Sequence, residues 1–299
     1  MTRHFLSLMD FSPKELRMLV DRAQTLKAIL RRREPHEYLR GRSLALIFEK
    51  SSTRTRVSFE AGITQLGGNS MFLAPAELQL GRGEPLEDTA RVISRMVDAI
   101  VIRTHEHAKL TAFAAHSQVP VINALTDRFH PCQLLADMQT YFEHRGDIAG
   151  RTVAWIGDGN NVCQSWINAA RQFHFTLQIA TPAGYGPDTD IVQEAGNAVR
   201  LVETPEGAVK GADLVVTDTW ASMGQESEKE VRAQAFKGFC VDTQLMEQAH
   251  PDAIFMHCLP AYRGIEVASD VIDGPKSVVW DEAENRLHAQ KALLEFLLG

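Results

Sequence analysis

Short apolar runs alternate along this chain with longer stretches in which apolar residues recur every three or four positions. The first pattern predicts buried strands and the second amphipathic helices. Leu16, Leu19, Val20, Ala23, Leu26 and Leu30 line one helix face, behind a capping box at Ser12-Pro13-Lys14-Glu15 with proline at the first helical position. Strands are expected at Leu44–Phe48, Ser70–Leu73, Ala99–Arg103 and Val119–Asn123, with helices between them including Arg54–Leu66 and Leu86–Met96. Polar punctuation at Gly146–Gly150 opens a second series, with strands expected at Thr152–Ile156, Thr176–Ala180, Val199–Val202, Asp213–Thr217 and Ile254–His257. Such alternation implies an α/β fold of two lobes, each a mainly parallel sheet flanked by helices. The first lobe is expected over residues 1–138, with the amphipathic C-terminal helix of about 284–299 packing back on it, and the second over 139–283. A helix at Pro131–His144 is expected to bridge them. Functional groups of parallel sheets gather at the carboxyl ends of strands, so two lobes meeting there would enclose an active-site cleft.

Composition narrows the class without changing the fold. With 299 residues, 44% hydrophobic and 23% charged, the chain can bury two ordinary cores. A net charge of −7 argues against a nucleic-acid or membrane surface, while 31 basic residues leave room for a local anion pocket. Cys132, Cys163, Cys240 and Cys258 show no CxxC pair, as expected of reduced thiols in the cytoplasm. The opening MTRHFLSLMDFSPKEL lacks the apolar core of a signal peptide, and no apolar stretch approaches 18 residues.

The chemistry sits after the expected strands. Leu44–Phe48 leads into Ser51, Ser52, Thr53, Arg54, Thr55 and Arg56, four hydroxyls and two guanidiniums at a helix start. Unpaired N–H groups and the positive helix end favour an anion there, and forked arginines match phosphate. A capped, solvated helix start is the plainer alternative, and the density of donors argues against it. Later strand ends supply Arg103, His130 and Gln133, suited to polarising a small carbonyl, and Asn161 and Asp218, suited to an amino acid's carboxylate and ammonium. Together they describe a transferase that brings a phosphorylated electrophile to an amino-acid nucleophile. His105 and His107 lack the further ligands of a zinc site and belong to a solvated loop. Cys258, as a lone cysteine, is by default a structural thiol. Gly157-x-Gly159 follows a strand, but Val162 stands where a dinucleotide loop needs its third glycine, which disfavours an NAD-dependent oxidoreductase. A non-enzymatic amino-acid binder would leave the phosphate cluster without a purpose.

The motifs at Ser52–Arg56, His130–Gln133 (HPCQ), Asp218–Gly224 (DTWASMG) and His257–Pro260 (HCLP) occur in the order and spacing of a known family. Over essentially its whole length the chain resembles the ornithine carbamoyltransferases of the aspartate/ornithine carbamoyltransferase superfamily. The resemblance implies transfer of a carbamoyl group from carbamoyl phosphate to the side-chain amine of L-ornithine, giving citrulline in arginine biosynthesis. It makes the first lobe the carbamoyl-phosphate-binding domain and the second the ornithine-binding domain. Ser52, Thr53, Arg54 and Thr55 would bind the phosphate, and Arg103, His130 and Thr55 would polarise the carbonyl oxygen. Gln133 with the backbone of Cys258 and Leu259 would hold the amide, and Arg286 would contribute from the C-terminal helix. Asn161, Ser222 and Met223 would hold the α-carboxylate of ornithine and Asp218 its ammonium, with Cys258 beside the side-chain amine. Cys258, Arg103 and His130 are thus the catalytic candidates. Gln79 would reach a neighbouring subunit's site, implying a homotrimer with shared active sites. No cofactor and no metal is expected, since guanidiniums take the role a cation plays elsewhere. Arg56 is expected to brace the helix or an interface. A putrescine or aspartate carbamoyltransferase is the nearest alternative, and the SMG element favours ornithine.

The amine sets the main chemical difficulty. With a lysine-like pKa of about 10.4, it costs roughly 4.6 kcal/mol to present neutral at pH 7. Desolvation on lobe closure is expected to lower that cost.

Overall fold

The computed structural model describes residues 2–74, 83–221 and 228–299. In chain order the main elements are α1 (Pro13–Arg31), β1 (Ser43–Phe48), α2 (Thr53–Gln65), β2 (Asn69–Leu73), α3 (Leu86–Ile93), β3 (Ala99–Arg103), α4 (His107–His116), β4 (Val121–Leu125) and α5 (Pro131–Arg145). Then come β5 (Thr152–Ile156), α6 (Asn161–Phe173), β6 (Thr176–Ala180), α7 (Thr189–Ala195), β7 (Val199–Val202), α8 (Pro205–Val209) and β8 (Leu214–Thr217). The chain ends with α9 (Lys229–Ala235), α10 (Thr243–Met246), β9 (Ile254–His257), α11 (Ser269–Ile272) and α12 (Val279–Leu298). It divides into two compact units: the chain up to Gln139 with Glu284–Gly299, and Thr140–Ala283.

The first unit holds a four-stranded sheet in the order β2-β1-β3-β4, parallel throughout. β1 and β3 are buried along nearly their whole length, as strands covered by helices on both faces must be. Ala45, Ile47, Ile100, Ile102, Phe113 and Val121 form one shared core there. The capping box of α1 is in place: Glu15 N–H donates to Ser12 Oγ, and Ser12 N–H donates to Glu15. From β1 to β4, two elements depart from the periodicity by more than one residue. The fourth strand runs Val121–Leu125 and not Val119–Asn123, because it begins only after Pro120, which has no N–H to give a ladder. α3 stops at Ile93, after which Arg95 and Met96 bond three residues back, a tighter turn than the α-helix.

The second unit holds a five-stranded sheet in the order β7-β6-β5-β8-β9, again parallel throughout. Its core includes Ile156, Val215, Phe255, Val271 and Ile272. In both sheets the chain starts near the middle, moves to one side, and returns to build the other. The strand order therefore reverses between β1 and β3, and between β5 and β8. A reversal of this kind leaves a crevice at the carboxyl ends of the two strands. The loops that follow β1, β3, β5 and β8 contain Ser52, Thr104, Gly157–Asn160 and Asp218. Among the described residues no helix is long and apolar enough to cross a membrane.

One close approach fixes the loop after β5. A Cβ on Gly159 would lie 2.2 Å from Pro187 N, and Gly159 N–H donates to Tyr185 O at 2.8 Å. The Gly159→Ala variant is therefore expected to lose about 2 kcal/mol or more of unfolding free energy in a denaturant titration. Gly146→Ala, where a Cβ meets nothing within 4 Å but φ is +76°, should cost only about 1 kcal/mol.

Candidate active site

The first half-site is assembled at the start of α2. Ser52 is its N-cap residue yet makes no capping hydrogen bond; its Oγ donates to Thr55 Oγ1 at 2.9 Å instead. The first-turn N–H groups are therefore left uncapped by that side chain, as an anion at a helix start requires. Thr53 and Arg54 are exposed and Thr55 is buried. Thr55 Oγ1 also accepts from Arg286 Nη2 at 3.3 Å, and Arg286 Nη1 donates to Gln133 Oε1 at 2.6 Å. Gln133 Nε2 donates in turn to Asp137 Oδ1 at 2.8 Å. One buried chain of hydrogen bonds thus ties the start of α2 to α5 through α12. The amide carbonyl of Gln133 is occupied by the guanidinium, which fixes the way the amide points.

His130 precedes α5 and is buried. Burial, and then the positive charges of Arg286, Arg103 and Arg54, hold its pKa well below the ordinary value, so the imidazole is neutral. Arg103 ends β3 and is itself buried. Cys132 is buried beside them, and burial pushes its thiol up to about 12, as for an inert structural cysteine. Arg56 faces elsewhere: its Nε donates to Glu60 Oε1 at 2.9 Å and its guanidinium lies 3.9 Å from the centre of the Phe72 ring. It braces α2 against β2.

The second half-site centres on Asp218, directly after β8. Its Oδ1 accepts from Thr219 N–H at 2.7 Å and from the Cys258 thiol at 3.1 Å. Its Oδ2 accepts from Asn160 Nδ2 at 2.8 Å. Asn160 also caps α6, accepting from the N–H groups of Val162 and Cys163, so one side chain links a helix start to the carboxylate. Asn161 is the first residue of α6 and is half-buried. Cys258 is half-buried too, more accessible than a purely structural thiol, and Leu259 beside it has a φ of +57°. Gln79, Ser222 and Met223 lie outside the described residues.

Asp218, His257 and Cys258 bring three potential metal-ligand atoms within 4.8 Å of one another. The hydrogen bonds argue against that use. His257 Nδ1 accepts from Leu259 N–H at 2.9 Å, so Nε2 carries the proton and donates to Glu266 Oε1 at 3.1 Å. The imidazole has no lone pair to offer. Of the other two histidines weighed for metal, His105 is exposed, but His107 is not in a loop: it opens α4, with Nδ1 3.0 Å from Thr126 Oγ1.

Asn160, Asp137, Asp158 and Arg232 are polar residues of these corners that motif reading passed over. Asn160 precedes Asn161, and an asparagine at the N-cap position before an amphipathic stretch is the signal it carries in the sequence. Asp137 lies one helical turn after Gln133, a spacing at which side chains meet.

Two parallel α/β units, each with its polar groups collected at the point where strand order reverses, define a bipartite α/β enzyme architecture. A scan of protein families matches residues 3–143 to the carbamoyl-P binding domain, and 149–297 to the Asp/Orn binding domain, of aspartate/ornithine carbamoyltransferase. The chain belongs to the aspartate/ornithine carbamoyltransferase family. It is 66% identical to an ornithine carbamoyltransferase of Nitrosococcus oceani, over 99% of this chain and 97% of that protein. It is 58% identical to an anabolic ornithine carbamoyltransferase of Pseudomonas aeruginosa, over 99% and 97% respectively. The crystal structure of ornithine carbamoyltransferase from Burkholderia thailandensis superposes with a TM-score of 0.93 at 54% identity, covering 99% of this chain and 98% of that one.

The state of His130 has a measurable consequence. The unfolded chain binds a proton at this residue near pH 6.5 and the folded chain only well below it. Folded-state stability contributed here is therefore full above about pH 6.5 and falls as pH drops towards the lowered value. His130→Gln should flatten the acid side of a stability–pH curve. In the wild type, the His130 ring resonances should show no titration between pH 8 and about 6.

Proposed function

We propose that the protein transfers the carbamoyl group of carbamoyl phosphate to the side-chain amine of L-ornithine, releasing citrulline and phosphate in the biosynthetic direction. The observation that carries this reading is the hydrogen-bonded chain Ser52–Thr55–Arg286–Gln133 beside a neutral His130, in a family defined by carbamoyl phosphate. Ornithine, in preference to aspartate or putrescine, is supported by relatives of that name at 58–66% identity.

In this reading the start of α2, with Ser52, Thr53, Arg54 and Thr55, holds the phosphate and stabilises its charge as it departs. Arg103, Thr55 and His130 polarise the carbonyl oxygen. A neutral imidazole is the suitable partner there, since it donates a hydrogen bond without adding a further buried charge beside three guanidiniums. Gln133 holds the carbamoyl amide, Arg286 orients Gln133 and Thr55, and the backbone of Cys258 and Leu259 offers further contacts to the amide. Asp218 takes the α-ammonium of ornithine and Asn161, with Ser222 and Met223, its carboxylate. Cys258 positions the side-chain amine; its thiol donates to Asp218 and so is a poor nucleophile as placed. Attack by the neutral amine forms the C–N bond, the C–O bond to phosphate breaks, and the departing phosphate takes up the released proton. The energetic demand is positioning and charge stabilisation, with no covalent enzyme intermediate.

We also propose a homotrimer in which Gln79 completes a neighbour's site. Its support is that Val57, Met71, Val92 and Met96, on or beside α2, β2 and α3, stay exposed in the single chain. The cytoplasm keeps thiols reduced, consistent with the four free cysteines.

Citrulline formation with ornithine, putrescine or aspartate offered in turn tests the reading: turnover with ornithine alone supports it, and preference for another amine contradicts it. Arg54→Gly should lower kcat/KM for carbamoyl phosphate by roughly 100-fold or more, and near-normal activity would remove Arg54 from the phosphate site. Light scattering should report three chains per particle, and a fully active monomer would exclude a shared site.

A further inference from the structure

We infer that Asp158 and Arg232 are positioning residues for the amino-acid substrate, acting through the segment that carries Asp218. The inference rests on the ornithine reading and deepens it. Asp158 and Arg232 are both buried, each 7% exposed, and Arg232 Nη1 donates to Asp158 Oδ2 at 3.0 Å. A buried ion pair is weak as a source of stability, because desolvation offsets much of the attraction. This pair instead has the connections of a brace. The same Nη1 donates to Trp220 O at 2.8 Å, two residues after Asp218, and Nε donates to Glu228 Oε2 at 3.0 Å. A single guanidinium therefore joins the loop after β5, the segment after β8, and the start of α9.

Each end of the brace is seated. The guanidinium lies 5.0 Å from the centre of the Tyr185 ring. Tyr185 and Trp220 both pack on Phe236, at 4.9 and 5.3 Å between ring centres. Asp158 O accepts from Trp155 Nε1 at 3.0 Å, so that residue is held by backbone and side chain. Gly159 lies so close to Pro187 that no side chain fits between them. Asn160 follows, and it donates directly to Asp218. The distance between Asn160 and Asp218 is thus set from both sides by residues bound to one guanidinium. Burial, opposed by Arg232 and reinforced by the nearby charges of Asp218 and Glu228, lifts Asp158 to about 6. Arg232, by its charge and hydrogen bond, is what keeps this buried carboxyl from rising further; without it Asp158 would take up a proton and the brace would lose its anionic end.

The test is steady-state kinetics on the full chain for Asp158→Asn, Arg232→Gln and the conservative Arg232→Lys, each substrate varied at saturation of the other. We expect the ornithine KM to rise about 10-fold or more in the first two, with the carbamoyl phosphate KM within about twofold of wild type. Lysine keeps the charge but not the fork that meets two acceptors, so Arg232→Lys should fall between. The double variant should be no worse than the worse single one, since both remove the same brace. An unchanged ornithine KM in Arg232→Lys and Asp158→Asn would overturn the inference. So would equal rises in both KM values alongside a lowered Tm, the pattern of general destabilisation. Should the glutamine variant fail to fold, Arg232→Lys decides alone. A wild-type chain that makes no citrulline would sink the ornithine reading, whereas an active wild type with unaffected variants would sink only this inference.

Discussion

Parallel pairing is the constraint on which the rest of this structure depends. In each sheet the ladders run the same way, so every strand hands its chain to a loop at the same edge. Polar groups that would be costly within the buried strands collect there, and the reversal of strand order opens space for them. Arg103 is the last residue of its strand and Asp218 the first after its own. Each sits at the boundary between a covered sheet and its crevice, where a charge is partly desolvated and still reachable.

The two units use that edge with opposite signs. In the first, burial and then the charges of three guanidiniums keep one imidazole neutral. That arrangement suits a dianionic leaving group and a carbonyl, because positive charge and hydrogen-bond donors are gathered at one corner. In the second, a carboxylate is held by an amide, a thiol and a backbone N–H, an arrangement that suits an ammonium. The division answers the main energetic problem of the proposed reaction. The electrophile needs charge stabilisation, while the nucleophile needs an orienting anion at one end and a dry surrounding at its reactive amine.

Much of this was legible in the sequence. Buried strands of a parallel sheet are continuous apolar runs, and Ala99–Arg103, Thr152–Ile156 and Thr176–Ala180 fall where their runs do. Leu44–Phe48 and Ser70–Leu73 each gain one residue at the start. The fourth strand slipped because Val119 looks like a strand residue but precedes a proline, and because Asn123 is a polar residue inside a buried strand. Its Nδ2 donates to Leu6 O at 2.8 Å, a partner no local pattern announces. The same holds for the site. Residue types at strand ends were visible, whereas the links between Arg286 and Gln133, or Arg232 and Asp158, join positions 153 and 74 residues apart. Periodicity carries no information about such pairs; only the fold brings them together.

The central claim is that the start of α2 takes the phosphorylated substrate and the Asp218 corner the amino acid. Hydrogen exchange by mass spectrometry tests it directly, with carbamoyl phosphate added alone or together with L-norvaline, which has ornithine's α-ammonium and carboxylate but no side-chain amine. The account predicts that carbamoyl phosphate slows exchange in a peptide covering Ser52–Ser58, and that norvaline, in its presence, slows exchange around Asn160–Cys163 and Asp218–Trp220. Carbamoyl phosphate protection at Asn160–Cys163 with none at Ser52–Ser58 would contradict it.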